Sequence, residues 1–129
     1  MSQQHPSGID PPGRRTLVVD DHVDSANALG MLLKMHGQDV QVAYSGRKAL
    51  EVTQSFSPEV AIIDLQMPGI NGFELISLLR QKSEFQEIII VAVSVLPEEE
   101  ARKKAFDAGC NVVLLKPLRP ESIEILVNI

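Results

Sequence analysis

One cysteine, Cys110, is all that 129 residues hold. That excludes an internal disulfide framework and suits a reducing cytoplasm. No apolar run approaches the roughly 20 residues that a bilayer-spanning helix requires, so no membrane association is expected. The opening stretch "MSQQHPSGIDPPGRR" lacks the apolar core of a secretory signal. A long basic run is also missing. The net charge is −5, with acids in both halves, and direct nucleic-acid binding by this segment is disfavoured. Absent too is a Gly-x-Gly-x-x-Gly turn after the first apolar run, which takes away the main support for dinucleotide binding.

What is present reads as one globular domain. Apolar residues make up 44 % of the chain and charged residues 22 %. Residues 1–14, rich in Pro, Gly, Ser and Gln, read as a flexible tail or linker. Residues 15–129 form the folded unit. Strands are predicted at 16–20, 40–43, 60–64, 88–94 and 112–116. "VAIID" and "IIIVAVS" are nearly all apolar, as strands covered on both faces should be, whereas "VQVA" alternates like an edge.

Helical patterns fill the gaps. The first is predicted over 25–36, with Asp24 as cap and Gly37 as stop. The second begins after Ser45 and ends before Pro58. The third opens "NGFE", close to a capping box. The fourth is "PEEEARKKAFDAG", with Pro97 near its start, acids in its first turn and Gly109 at its end. Glu98, Glu99 and Glu100 each have a base four residues on. The fifth starts near Pro120. Five successive βα units imply a parallel sheet with right-handed crossovers and helices on both faces. Without the dinucleotide turn, the expected fold is a flavodoxin-like (βα)5 three-layer sandwich of strand order 2-1-3-4-5.

In such a sheet, ligands bind beyond the carboxyl ends of the strands. The first strand runs "LVVDDHVD" into Asp20 and Asp21, the third ends in Asp64, the fourth in Ser94 and the fifth in Lys116. Crowded carboxylates resist ionising unless a cation joins them. Three of them offer hard oxygen ligands for a partly hydrated Mg²⁺. Asp64, once screened, is fit to attack phosphorus. Lys116 and the Ser94 hydroxyl are fit to bind phosphoryl oxygens.

The motifs "LVVDD", "AIIDLQMPGINGFEL", "VAVS" and "LLKPL" stand in the order and spacing of one family. The chain resembles the receiver domain of two-component response regulators over residues 15–129. The resemblance implies that Asp64 accepts a phosphoryl group from a histidine kinase or histidine phosphotransfer protein and that the domain acts as a switch on a downstream protein target. Asp21, Asp64 and the Gln66 backbone carbonyl would hold Mg²⁺, with Asp20 acting through water. Ser94 would be the switch hydroxyl and Lys116 the phosphate partner, pointed inward by a cis Lys116–Pro117 peptide. It further implies a cytoplasmic signalling protein whose catalysis is limited to its own phosphorylation and dephosphorylation. Weak homodimers through the fourth and fifth units are compatible with it. A single-domain regulator and a piece of a hybrid histidine kinase or larger regulator both fit.

Two positions depart from the family pattern. Val113 stands where an aromatic residue or histidine usually moves with the switch hydroxyl. Val95 stands where Ala or Gly usually leaves the phosphoryl group open, which predicts slow exchange with small phosphodonors and water. Val113 keeps a second function in play, a docking module without phosphate control. A Mg²⁺-dependent phosphohydrolase ranks last, because Gln66 occupies the place of that chemistry's second acid. His22 reads as a solvated loop residue rather than a ligand, His36 as a helix-end residue favourable to the dipole, and His5 as part of the tail. Cys110 reads as a small buried hydrophobe.

Overall fold

The computed structural model describes residues 13–96 and 98–129. The reading of residues 1–12 as tail or linker, with His5 in it, and of Pro97 near a helix start, lies outside the described residues. In chain order the elements are β1 (Arg15–Val19), α1 (Val23–Met35), β2 (Asp39–Ala43), α2 (Gly46–Val52), β3 (Val60–Asp64) and α3 (Gly72–Arg80). A short 3₁₀ turn (Ser83–Phe85) leads to β4 (Ile89–Ser94), α4 (Glu99–Ala108), β5 (Val112–Leu115) and α5 (Pro120–Asn128). The five strands are all parallel and lie in the order β2-β1-β3-β4-β5. That is the flavodoxin-like arrangement expected, with the alternating "VQVA" strand at one edge.

Period-two alternation divides the interior. Leu17, Val19, Ala61, Ile63, Ile90 and Ala92 face Leu75, Ile76 and Leu79 of α3 and Ala105 of α4. Val18, Val60, Ile62, Val91 and Val93 face Ala26 and Leu33 of α1 and Leu126 of α5. The phase of each strand therefore fixes where its last residue points. Asp20 and Lys116 follow Val18 and Leu114 by two, and Asp64 ends β3 two after Ile62, so all three continue the α1/α5 side. Ser94 follows Ala92 by two and continues the opposite side.

Helix ends follow local chemistry, with one correction. α1 begins two residues earlier than expected, and its cap is His22, whose ring nitrogen accepts from Ser25 N. The cause lies in Asp20, whose Oδ1 accepts from His22 N at 2.9 Å and folds the chain into the helix directly after the strand. Asp24 then sits in the first turn, where an acid suits the helix dipole. His36 is the residue past α1, with Nδ1 3.0 Å from Leu32 O. Ser45 caps α2 through Lys48 N, and Asn71 and Glu74 form the capping box on α3. α4 ends at Gly109, whose φ of 123° is backbone that other residues rarely adopt.

The expected pairs from Glu98, Glu99 and Glu100 do not form among the described residues. Lys103 instead meets Asp107 at 3.1 Å, Arg102 lies over the Phe106 ring and Lys104 over Phe73. Exposed helix pairs are worth only a few tenths of a kcal/mol, so an aromatic face competes well for the same cation. Arg14, the last residue of the expected linker, already gives its carbonyl to Asp39 N at 2.9 Å. No helix among the described residues is long and apolar enough to cross a membrane.

Candidate functional site

Three parallel strands deliver acids or a base to one end of the sheet. Carboxylate oxygens of Asp20, Asp21 and Asp64 all lie within 4.8 Å of one another. Asp20 and Asp64 are buried, whereas Asp21 is exposed. Each buried carboxylate is held in the same way. One oxygen accepts a backbone N–H two residues on, from His22 at 2.9 Å for Asp20 and from Gln66 at 3.1 Å for Asp64. The other faces Lys116 Nζ, at 3.0 Å from Asp20 Oδ2 and 3.4 Å from Asp64 Oδ2. Lys116 reaches them across a cis Lys116–Pro117 peptide, and its backbone N–H donates to Ser94 O at 2.8 Å.

Glycine brings the third helix close. A Cβ on Gly72 would lie 2.4 Å from Asp64 O and 2.6 Å from Leu65 Cα. Only glycine lets α3 start against the end of β3 and keep Asp64 at the rim.

Burial pushes the Asp64 carboxyl up from 3.8 to about 6, and Asp20 adds to the rise against the opposing pull of the Gln66 N–H and Lys116. Burial works against the Lys116 charge, yet its hydrogen bond to Asp20 and the nearby Asp64 carry its pKa above the ordinary lysine value. One ammonium among three carboxylates leaves surplus negative charge. That donor set, all hard oxygen, fits a small divalent cation.

Ser94 is buried, and its hydroxyl faces Gln66 Oε1 and the Leu96 backbone. Val95 is 57 % exposed and borders, with Asp20, Asp64 and Lys116, a cavity of about 540 Å³ that runs down between α1 and α5. Val113 is half-buried and packs on the α3/α4 side of the sheet. Cys110 is buried, and burial pushes its thiol up, away from redox reactivity. Sequence reasoning counted only the backbone of Gln66. Its side chain also engages the end of β4, and nothing in the one-dimensional pattern announces that contact.

Known proteins resemble this chain in sequence and fold. The response regulator receiver domain model matches residues 16–128. The nitrate/nitrite response regulator protein NarL of Escherichia coli (strain K12) is 33 % identical over 126 residues, covering 95 % of this chain and 54 % of NarL. The chain thus spans about half the length of that relative. The sensor histidine kinase TmoS of Ectopseudomonas mendocina is 35 % identical over 114 residues, 88 % of this chain and 12 % of the kinase. The structure of the Vibrio cholerae chemotaxis protein CheY4 matches with a TM-score of 0.85 at 27 % identity, over 90 % of this chain and 97 % of that one. The sheet order, the acids at its carboxyl end and these matches lead to one assignment: the chain belongs to the response regulator receiver domain family of two-component systems.

Proposed function

We propose that this domain is a phosphoacceptor switch in which Asp64 takes a phosphoryl group from a phosphohistidine. The observation that carries the reading is the buried Asp64 carboxylate at the end of β3, with Lys116 Nζ 3.4 Å away and two further carboxylates beside it. An Asp64 oxygen attacks phosphorus, an O–P bond forms as the P–N bond breaks, and the departing imidazole keeps the electron pair and gains a proton. Phosphoryl transfer asks mainly for positioning and charge neutralisation. Lys116 neutralises one phosphoryl oxygen, and the Ser94 hydroxyl and Val95 N–H donate to another.

Asp21, Asp64 and the Gln66 carbonyl would hold Mg²⁺, with Asp20 acting through water. The ion would supply charge screening between carboxylates and phosphoryl oxygens. The phosphodonor is a histidine kinase or histidine phosphotransfer protein, and the readout is a protein target in the cytoplasm. Residues 15–129 are the switching unit, and its chemistry is confined to gaining and losing its own phosphoryl group. Val113 gives the second reading, a docking module without phosphate control, because a half-buried β-branched side chain has no exposed alternative position to swing into.

Intact-protein mass after incubation with Mg²⁺ and acetyl phosphate tests the proposal. One phosphoryl adduct is expected, dependent on Mg²⁺ and absent from Asp64→Asn. A silent wild type, with acetyl phosphate and then with a phosphohistidine protein, would overturn it in favour of the docking module.

A further inference from the structure

Gln66 follows Asp64 by two residues, and its side chain reaches sideways from the end of β3 to the end of β4. Its Oε1 lies 3.4 Å from Ser94 Oγ and 3.3 Å from Val95 N. Both of those groups are donors. The backbone N–H of the same residue donates to Asp64 Oδ1 at 3.1 Å. Gln66 is therefore tied by its main chain to the nucleophile and by its side chain to the hydroxyl and amide at the next strand end. An acceptor oxygen held between an O–H and an N–H beside Asp64 has the chemical surroundings that a phosphoryl oxygen requires. The single Ser94 hydroxyl proton is shared between Gln66 Oε1 and Leu96 O, both at 3.4 Å, whereas the Val95 N–H is directed to Gln66 Oε1.

We infer that the Gln66 side chain is a built-in surrogate for a phosphoryl oxygen, holding the Ser94 hydroxyl and the Val95 N–H until a phosphoryl group on Asp64 displaces it. The inference rests on the phosphoacceptor reading above. Gln66 is a positioning residue, acting through Ser94 and Val95. Both of its bonds are long and its oxygen is neutral, so a charged phosphoryl oxygen is the stronger acceptor and wins the competition. Two occupants of one donor pair exclude each other, and each weakens the other by the same factor.

The displacement has somewhere to go. Leu96 N donates to Ser94 Oγ at 3.0 Å, and the segment then runs to Glu98, which caps α4 without a side-chain hydrogen bond. Displacement of Gln66 thus exchanges a neutral side-chain oxygen for a phosphoryl oxygen as the partner of residues 94–95, the segment that leads into α4. This route from the acceptor carboxylate to a surface helix does not pass through Val113.

The test uses Mg²⁺ with beryllium fluoride as a phosphoryl mimic, read by titration and by the Val95 amide proton resonance. Gln66→Met keeps the length and the backbone but removes the acceptor. It is expected to shift the Val95 amide upfield before any addition and to bind the mimic about threefold to tenfold more tightly, the yield of one or two weak hydrogen bonds no longer in competition. Gln66→Glu keeps an acceptor and adds a negative charge. It is expected to keep the Val95 amide at or downfield of its wild-type position, opposite to the Met variant, and to weaken binding. A Met variant with an unmoved Val95 amide, or with wild-type affinity for the mimic, would overturn the inference while leaving the phosphoacceptor reading intact. If the wild type itself binds no mimic, behaving as Asp64→Asn does, that reading falls and this one with it.

Discussion

Two cationic side chains sit at opposite ends of the same sheet, and they are treated in opposite ways. At the carboxyl end, Lys116 shares itself between Asp20 and Asp64 and leaves the acidic cluster with surplus charge. At the amino end, the Arg80 guanidinium makes five hydrogen bonds: to Gly109 O, Phe85 O, Gln86 O, Ile88 O and Asn111 Oδ1. Asn111 Oδ1 also accepts from Ile90 N, which ties the clamp into β4. Arg80 thus fastens the α3–β4 loop to the α4–β5 turn through all three of its guanidinium nitrogens. The acidic end keeps surplus negative charge among Asp20, Asp21 and Asp64. At one end carbonyls surround a cation, and the other holds more carboxylates than its one ammonium balances.

Breaking the clamped end gives the largest expected change in stability. Arg80→Met removes five hydrogen bonds and strands half-buried carbonyls, so denaturant unfolding should show a loss of about 3 kcal/mol or more. Arg80→Lys should recover only part of it, because an ammonium cannot reproduce the planar fork. Folded Arg80→Met protein should still form the Mg²⁺-dependent phosphoryl adduct, since the clamp lies at the far end of the strands.

Relieving the reactive end should have the opposite sign. With its pKa raised from 3.8 to about 6, Asp64 binds its proton more tightly in the native state than in the unfolded chain. Its carboxyl therefore favours folding most below about pH 4, and that advantage is lost as the pH rises through about 6. In Mg²⁺-free buffer at pH 7, Asp64→Asn should be more stable than wild type by on the order of 2 kcal/mol. The gap should close as the pH falls towards 4, and Mg²⁺ should narrow it at pH 7. A pH-independent gap would remove ionisation of Asp64 as its cause.

The smallest effect sharpens the comparison within the site. Val95 borders the cavity beside Asp64 and Lys116. Val95→Ala should raise the rate of phosphoryl exchange with acetyl phosphate and water by a few-fold at unchanged melting temperature, because the side chain it trims is largely exposed. An adduct that decays no faster in this variant would show that Val95 does not shield the phosphoryl group.

Much of this was legible in one dimension, for reasons that differ by residue. Apolar strands buried on both faces, such as "VAIID", declare themselves because a parallel sheet leaves no polar face. The capping box of Asn71 and Glu74 is a contact between residues three apart, so sequence spacing suffices to find it. The first helix is capped by His22 and not by the expected Asp24 because Asp20 turns the chain through His22 N. The glutamate pairs of α4 failed because the choice among Asp107, Phe106 and Phe73 is made in space.

By itself, then, the sequence determined the βα alternation, the strand order and the gathering of Asp20, Asp21, Asp64, Ser94 and Lys116 at one end of the sheet. Periodicity and strand-end position need only local spacing and the handedness of crossovers. Only the tertiary structure decided that Lys116 is shared between two carboxylates, that Gln66 holds Ser94 and Val95, and that Arg80 closes the far end. Apart from the Arg80 bonds within its own loop, those contacts join residues 28 to 96 positions apart, and their existence depends on the register of neighbouring strands, which no single segment carries.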